Sequence, residues 1–364
     1  MKILFICGSL ENGRDGVGDY TRRLAGEIIR QGHSASIIAL NDKHISVIEQ
    51  TEQESDGTKI SVLRLPSILS NKEKHRKAEN FIKEFNPEWL SLQFVPYSFN
   101  KRGLPFGLAK QLKKLGKGRK WHIMFHELGG WHCKNSNIKI IIKGIVQQYI
   151  LQHLVKELRP IIHTNIKWRV SRLKLWNIDA KLLPLFGNIP VKYEKSLKNN
   201  SDIIFIVFGS IFSGGNIIGF SQWLANLDSI ENKKVIVWFV GKNGNELDFW
   251  VKNIQNKNIE YKIFGMQDED TISKLMSESD VGISTTPYYF AEKSGSVAAM
   301  IEHDLPVICV GREMIPRKID LTSYTNNVLE WQPDLQLKDI LNQKIKTYDL
   351  HKVTDLFIND LKNV

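Results

Sequence analysis

Three clusters of residues in this chain have the types and spacing to hold a phosphate or move a proton. The first runs from Gly8-Ser9 through Arg14-Asp15-Gly16-Val17-Gly18-Asp19 and follows the apolar stretch Lys2–Ile6. A strand that runs into glycines and then a helix leaves backbone N–H groups at the helix start, where the dipole also favours an anion. The loop is not the dinucleotide G-x-G-x-x-G, because its glycines are too far apart, and the phosphate-loop lysine is absent. No acid closes the second strand in the usual way; Asp42 is the nearest candidate for a ribose. A tight turn with no ligand accounts for the glycines equally well. Arg14 and Asp15 favour a site, since charged side chains in such a loop reach into a cleft; a solvated arginine is the alternative. A second opening of this kind, Ile203–Phe208 followed by Gly209-Ser210, lies in the other half.

The second cluster is Phe125-His126-Glu127-Leu128-Gly129-Gly130, directly after the strand-like run Trp121–Phe125. Ligands of parallel sheets sit beyond the carboxyl ends of strands, which is where His126 falls. An imidazole there can bond a hydroxyl or a phosphate oxygen, or carry a proton, and Glu127 can orient it. The competing reading is a strand-end histidine bonded to backbone. His122 and His132 do not complete a helical zinc motif with it.

The third cluster is Glu292-Lys293-Ser294-Gly295-Ser296, which opens a helix running to Glu302. Ser-Gly-Ser at a helix start supplies several N–H donors, and Lys293 adds a cation there. Helix-dipole energetics disfavours lysine at an N-terminus, and a bound anion resolves that conflict. Glu292 can take a sugar or ribose hydroxyl. The bland reading is an ordinary cap with Lys293 in solvent.

These clusters need scaffolds, and the rest of the sequence supplies two. Apolar runs alternate with amphipathic stretches across both halves, the pattern of doubly wound parallel sheets. Strands are expected at Lys2–Ile6, Ser34–Leu40, Lys59–Leu65, Trp89–Phe94, Trp121–Phe125, Pro160–Thr164 and Ala180–Leu185. In the second half they are expected at Ile203–Phe208, Lys234–Val240, Ile259–Phe264, Val281–Ser284 and Val307–Val310. Helices are expected at Asp19–Gln31, Lys72–Phe85, Leu108–Leu115, Ile138–Leu158, Phe220–Leu227, Glu246–Ile254, Asp268–Ser277 and Ser294–Glu302. The polar stretch Asn188–Asp202 reads as a linker. The organisation is an N-terminal Rossmann-like domain over 1–190, a second over 200–335 and a helical tail over 336–364, which can pack back onto the first.

The formal net charge of +11 favours an anionic partner. Cys7, Cys133 and Cys309 form neither a disulfide framework nor a metal cluster. The opening residues read as a first strand and not a signal peptide, and no run is long enough to cross a bilayer, so the expected location is cytoplasmic. Lys110, Lys113, Lys114, Lys117, Arg119 and Lys120 form a basic run. With the apolar stripe Ile138, Ile141, Ile142, Ile145 and Tyr149, it would suit peripheral contact with an anionic membrane face; a solvated face and a core helix are the plainer explanation. No nucleic-acid motif is present.

Taken in order, several segments resemble a known family: GRDGVGDYTRRLAGEIIRQGHSASIIAL, WLSLQFVPYSFNKRGLPFGLAKQL, FHE, LLPLFGNIP and SDVGIST…EKSGSVAAMIEHDLPVIC. The chain resembles the retaining glycosyltransferases of family 4, as a bacterial member with a variant paired-glutamate motif. The resemblance implies a GT-B fold, two Rossmann-like domains facing across a cleft. It implies hexosyl transfer from a nucleotide-diphosphate sugar to a hydroxyl of a glycan or lipid-linked glycan, as in polysaccharide biosynthesis, with no metal or other cofactor. It would make His126, Glu292 and Lys293 catalytic. Arg14, Gly16, Gly18, Asp19, Gly209, Lys242, Ser294, Gly295, Ser296 and Glu302 would line the phosphates, the nucleoside or the acceptor.

Two departures stand out. The second glutamate of the pair falls on Met300, or on Ala299 in the alternative register, and Glu302 fits neither. The arginine and lysine expected after the second domain's first strand are replaced by Gly209-Ser210-Ile211-Phe212-Ser213-Gly214-Gly215, so Lys242 or Lys293 would neutralise the diphosphate. No nucleophile suits a covalent intermediate, and by resemblance the diphosphate itself takes the acceptor proton. A sugar-nucleotide epimerase of the same architecture, or a non-catalytic sugar-nucleotide or glycan binding protein, are the other readings.

Overall fold

A computed structural model of the chain describes residues 1–129, 133–134, 137–195, 202–230, 234–322 and 324–363. His132, Gly130 and part of the expected linker fall outside these. The chain forms two compact units. One holds Met1–Pro184, Pro316–Ile319 and Leu350–Val364; the other holds Leu185–Ile315 and Asp320–Asp349.

The first unit is built on strands β1 (Lys2–Cys7), β2 (Ser34–Asp42), β3 (Glu49–Ser55), β4 (Thr58–Pro66), β5 (Trp89–Phe94), β6 (Lys120–Phe125), β7 (Ile161–Thr164) and β8 (Lys181–Leu182). Their order across the sheet is β3-β4-β2-β1-β5-β6-β7-β8, parallel except for the antiparallel β3–β4 pair. That hairpin turns on Asp56 and Gly57, both at positive φ (47° and 75°), as a two-residue turn requires. The strand order reverses between β1 and β5, a switch point whose carboxyl edge forms a crevice.

Helices α1 (Gly16–Arg30), α2 (Asn71–Phe85), α3 (Pro96–Phe99), α4 (Leu108–Gly116), α5 (Ile138–Leu158) and α6 (Lys167–Lys174) belong to this unit. Because side chains alternate along a strand, the sheet has two distinct faces. Leu4, Ile6, Leu90, Leu92, Ile123 and Ile162 face one core with Phe81, Leu112 and Leu154 of α2, α4 and α5. The other face lies under α1 and the last helix of the chain.

The second unit has six parallel strands: β9 (Ile203–Phe208), β10 (Val235–Val240), β11 (Glu260–Gly265), β12 (Val281–Ser284), β13 (Val307–Cys309) and β14 (Leu329–Glu330). Their order is β11-β10-β9-β12-β13-β14, with the switch point between β9 and β12. Its helices are α7 (Ile217–Ile230), α8 (Leu247–Gln255), α9 (Glu269–Ser277), α10 (Gly295–Glu302) and α11 (Leu337–Leu341). Helix α12 (Leu350–Lys362) closes the chain and belongs to the first unit.

Several expectations are corrected. The first helix begins at Gly16, three residues before Asp19, because the Asp15 carboxylate caps it. The strand β3 and helix α6 were not expected. The helical tail consists of α11 and α12, which belong to different units.

Candidate functional site

In the first unit the candidate residues gather at the carboxyl edge of the sheet. The loop after β1 is pinned from below by Asp42, at the end of β2. This fully buried carboxylate accepts from Ser9 Oγ (3.0 Å), Leu10 N (3.1 Å), His44 N (3.0 Å) and Arg64 Nε (2.9 Å). Burial works against its charge, but the Arg64 guanidinium and two N–H donors hold its pKa below the usual range. It is therefore committed to the loop, which corrects the idea of a ribose ligand there.

The N-terminus of α1 is also occupied. Asp15 Oδ1 accepts from the N–H groups of Val17 (3.1 Å) and Gly18 (3.0 Å). These are donors the sequence offers to a phosphate, and in this structure the Asp15 carboxylate sits on them. Asp19 faces back into the loop, accepting from Gly13 N (3.2 Å) and pairing with the buried Arg22 (2.8 Å). Gly18 is required by close approach: a β-carbon there would stand 2.6 Å from the carbonyl oxygen of Ser9. Arg14 and Gly16 are exposed on the rim.

His126 follows β6 and is 6% exposed. Its backbone N–H bonds Phe94 O (3.1 Å), its Nε2 meets Gln93 Oε1 at 2.9 Å, and its carbonyl accepts from Arg169 on α6. The Tyr20 ring of α1 meets the imidazole edge-on at 5.0 Å between centroids. Burial, reinforced by the Arg169 charge, drives its pKa down to about 3. The ring is neutral at physiological pH and cannot serve there as a resident cation. The backbone is anchored, and the ring stands at the strand end. Glu127 is adjacent and half-buried.

In the second unit the loops after β9, β10 and β12 converge on the head of α10. Gly209 has φ +86°, and a β-carbon on it would lie 2.5 Å from Ser296 Oγ. Gly241 packs beside it, with its own notional β-carbon 3.4 Å from Gly209 N. Asn243 ties these turns together, donating from Nδ2 to Gly209 O at 2.8 Å and accepting Ile211 N on its carbonyl at 3.0 Å. Its Oδ1 is buried, and no described residue donates to it. Lys242 is exposed next to it.

Ser294 caps α10, its Oγ accepting Val297 N at 3.4 Å. No described residue takes up the N–H of Gly295 or Ser296. Lys293 stands 5.9 Å from the Phe290 ring centroid, and the Glu292 carboxylate accepts the Tyr324 hydroxyl at 3.0 Å. Burial first, and then the Glu292 charge, push the Tyr324 phenol well above its usual range, so it stays a donor. Tyr288, Tyr289 and Tyr324 form a ring cluster beside it, with centroids 5.2 to 6.2 Å apart.

Thus the first unit brings Arg14, Gly16, Gly18, Asp19 and His126 to one edge. The second brings Gly209, Lys242, Glu292, Lys293, Ser294, Gly295 and Ser296 together. Glu302 does not join them: it lies at the far end of α10, where Oε1 accepts Gly187 N at 2.6 Å. Met300 and Ala299 are both fully buried, so neither register of the missing second glutamate points to a surface position. Sequence reasoning missed Arg169 and Asn243. Asn243 had a signal, a polar residue in a Gly-Lys-Asn-Gly turn after a buried strand; Arg169 had none. Among the described residues no group of His, Cys, Asp and Glu is placed to hold a metal ion.

No family model and no curated protein matches the sequence. Solved structures do match in fold. Alr3699/HepE from Anabaena, in complex with UDP and glucose, superposes with a TM-score of 0.60 at 14% identity over 100% of both chains. The lipopolysaccharide outer core galactosyltransferase WaaB, in its apo form, gives 0.58 at 12% identity, again over 100% of both chains. The UDP-GlcNAc 2-epimerase from Methanocaldococcus jannaschii gives 0.55 at 12% identity and the same coverage. The fold of this chain is that of these proteins, GT-B.

Proposed function

We propose that this protein is a glycosyltransferase that moves a hexosyl group from a nucleotide-diphosphate sugar to a hydroxyl acceptor. The observation that carries the reading is the head of α10. Two N–H groups that no described residue takes up, Lys293 beside them, and the Gly209 turn pressed against Ser296 make a cradle with the charge to suit a diphosphate. Structures of HepE hold UDP and UDP-glucose, which favours a uridine donor.

In this reading Lys293, Lys242 and the α10 dipole stabilise the departing diphosphate, with no metal required. Glu292, oriented by Tyr324, takes a donor hydroxyl. A neutral His126 contacts the transferred sugar, and Gly16 to Asp19 line the acceptor side, since Asp15 makes the α1 turn a poor phosphate site. Retention of configuration follows from the resemblance to family 4. The acceptor is a glycan or lipid-linked glycan. Helix α5 exposes Ile138, Ile142, Ile145 and Tyr149, which suits peripheral membrane contact, although Lys113 and Lys117 of the nearby basic run pair with Glu157 and Glu79. Among the described residues no helix is long and apolar enough to cross a membrane.

The test is calorimetric titration with UDP-, GDP-, ADP- and dTDP-sugars, followed by an acceptor screen that reads diphosphate release. Binding of one donor with acceptor-dependent release supports the reading. Isomerisation of UDP-GlcNAc without acceptor would make the protein an epimerase, and binding without turnover a sugar-nucleotide binding protein.

A further inference from the structure

The face of the first sheet that lies under α12 carries polar side chains where the opposite face carries leucine and isoleucine. Ser91 and Gln93 alternate along β5, His122 stands on β6, and His163 on β7. All four are at most 1% exposed. Buried polar groups are costly unless every one is satisfied, and here they satisfy each other in sequence.

His126 Nε2 lies 2.9 Å from Gln93 Oε1, and Gln93 Nε2 lies 2.9 Å from Ser91 Oγ. Ser91 Oγ meets His122 Nδ1 at 2.8 Å, and His122 Nε2 meets His163 Nδ1 at 3.0 Å. His163 Nε2 meets Asp360 Oδ2, on α12, at 2.9 Å, and Lys181 pairs with the other carboxylate oxygen. Six residues from four elements and the loop after β6 therefore form one unbroken chain.

The chain has a single direction. Burial lowers the pKa of His122, His126 and His163, so each ring carries one proton. Asp360 is kept ionised by Lys181 and His163 despite its burial, and a carboxylate only accepts. His163 must then donate from Nε2 and accept at Nδ1. His122 must donate from Nε2 and accept at Nδ1 from the Ser91 hydroxyl. With its proton spent, Ser91 Oγ only accepts from Gln93, which fixes the amide with Oε1 toward His126. His126 must donate from Nε2, leaving Nδ1 bare. No described residue donates to that nitrogen.

We propose that Asp360 is a positioning residue for His126: through His163, His122, Ser91 and Gln93 it fixes the tautomer that presents Nδ1 as a hydrogen-bond acceptor. Such a nitrogen receives a hydroxyl and rejects a phosphate oxygen. Its service to a sugar rests on the glycosyltransferase reading; the tautomer assignment does not.

Asp360→Asn tests it in the full-length protein. Asparagine can accept from His163, or donate to it with its oxygen left to Lys181, so every bond from His163 to His126 can survive with the chain running either way. In long-range ¹H–¹⁵N spectra of histidine-labelled protein, the parent should show all three rings protonated at Nε2. The variant should show both tautomers at His126, and its affinity for UDP-glucose should fall about fivefold. In a Ser91→Ala background, Asp360→Asn should move His122 and His163 but not His126. A parent His126 protonated at Nδ1, or a His126 tautomer unmoved by Asp360→Asn while His163 becomes mixed, overturns the proposal. Tautomers that respond in a protein that never binds UDP-glucose would leave the relay standing and sink the sugar-donor reading; the reverse result would do the opposite.

Discussion

Ser296 Oγ fills the space that a side chain on Gly209 would need, 2.5 Å from the notional β-carbon. This contact brings the turn after β9 onto the head of α10, and Gly209 also needs its positive φ of 86°. Gly209→Ala should therefore push the two apart and strain the turn, at a cost of about 1–2 kcal/mol. Donor affinity should drop about tenfold, read by calorimetry with UDP-glucose. An alanine variant that binds the donor as tightly as the parent would mean that the turn is only architectural.

Lys293 tests the cradle by charge. If it stabilises the leaving diphosphate, its effect grows as charge develops. Lys293→Met should lower kcat about a hundredfold with a much smaller change in donor KM. Unchanged kinetics would remove Lys293 from the site.

The buried histidines give a pH dependence whose sign is fixed. His122, His126 and His163 all titrate below their ordinary range because burial disfavours the imidazolium. Above the unfolded value of about 6.5, neither state binds protons on these rings. Below it the unfolded chain takes them up and the folded chain does not, so stability falls as pH drops, toward about 3 in the case of His126. Each such ring contributes up to about 1.4 kcal/mol per pH unit in that window. The lowered carboxylates, Asp42 and Asp360, act in the same direction only at more acid pH. Urea midpoints should change little between pH 7.5 and 6.5 and fall between 6.5 and 5.5; a flat series down to pH 5.5 would show that the rings protonate in place.

Much of the scaffold was legible because apolar runs bounded by punctuating residues are local signals. Trp89–Phe94, Ile138–Leu158, Ile203–Phe208 and Val281–Ser284 have the same bounds in both readings. The strand β3, EQTEQES, was not legible, since a polar edge strand is held by its hairpin partner and not by burial. Helix α6 was hidden because Arg169 and Arg172 look like surface residues, yet both are at most 3% exposed and donate to carbonyl oxygens. The α10 cradle was visible as Lys-Ser-Gly-Ser next to a strand. The occupied α1 cap was visible too, in principle, as an aspartate just before the first helical residue. The histidine chain was not: its members come from four elements and a loop, and only the fold makes them neighbours.

Glu302 separates two accounts of nucleoside binding. Its Oε1 accepts Gly187 N at 2.6 Å, which ties the start of the second unit's chain to the end of α10. If that is its task, Glu302→Gln keeps an acceptor oxygen and loses only the charge, so stability should fall by about 1 kcal/mol or less. Glu302→Ala leaves the Gly187 N–H without its acceptor and should cost about 1–3 kcal/mol. UDP affinity should change less than about threefold in the glutamine variant, because the ribose is held by other groups. Were UDP affinity instead to collapse in Glu302→Gln with the melting temperature unmoved, the carboxylate would be the ribose ligand that Met300 cannot be.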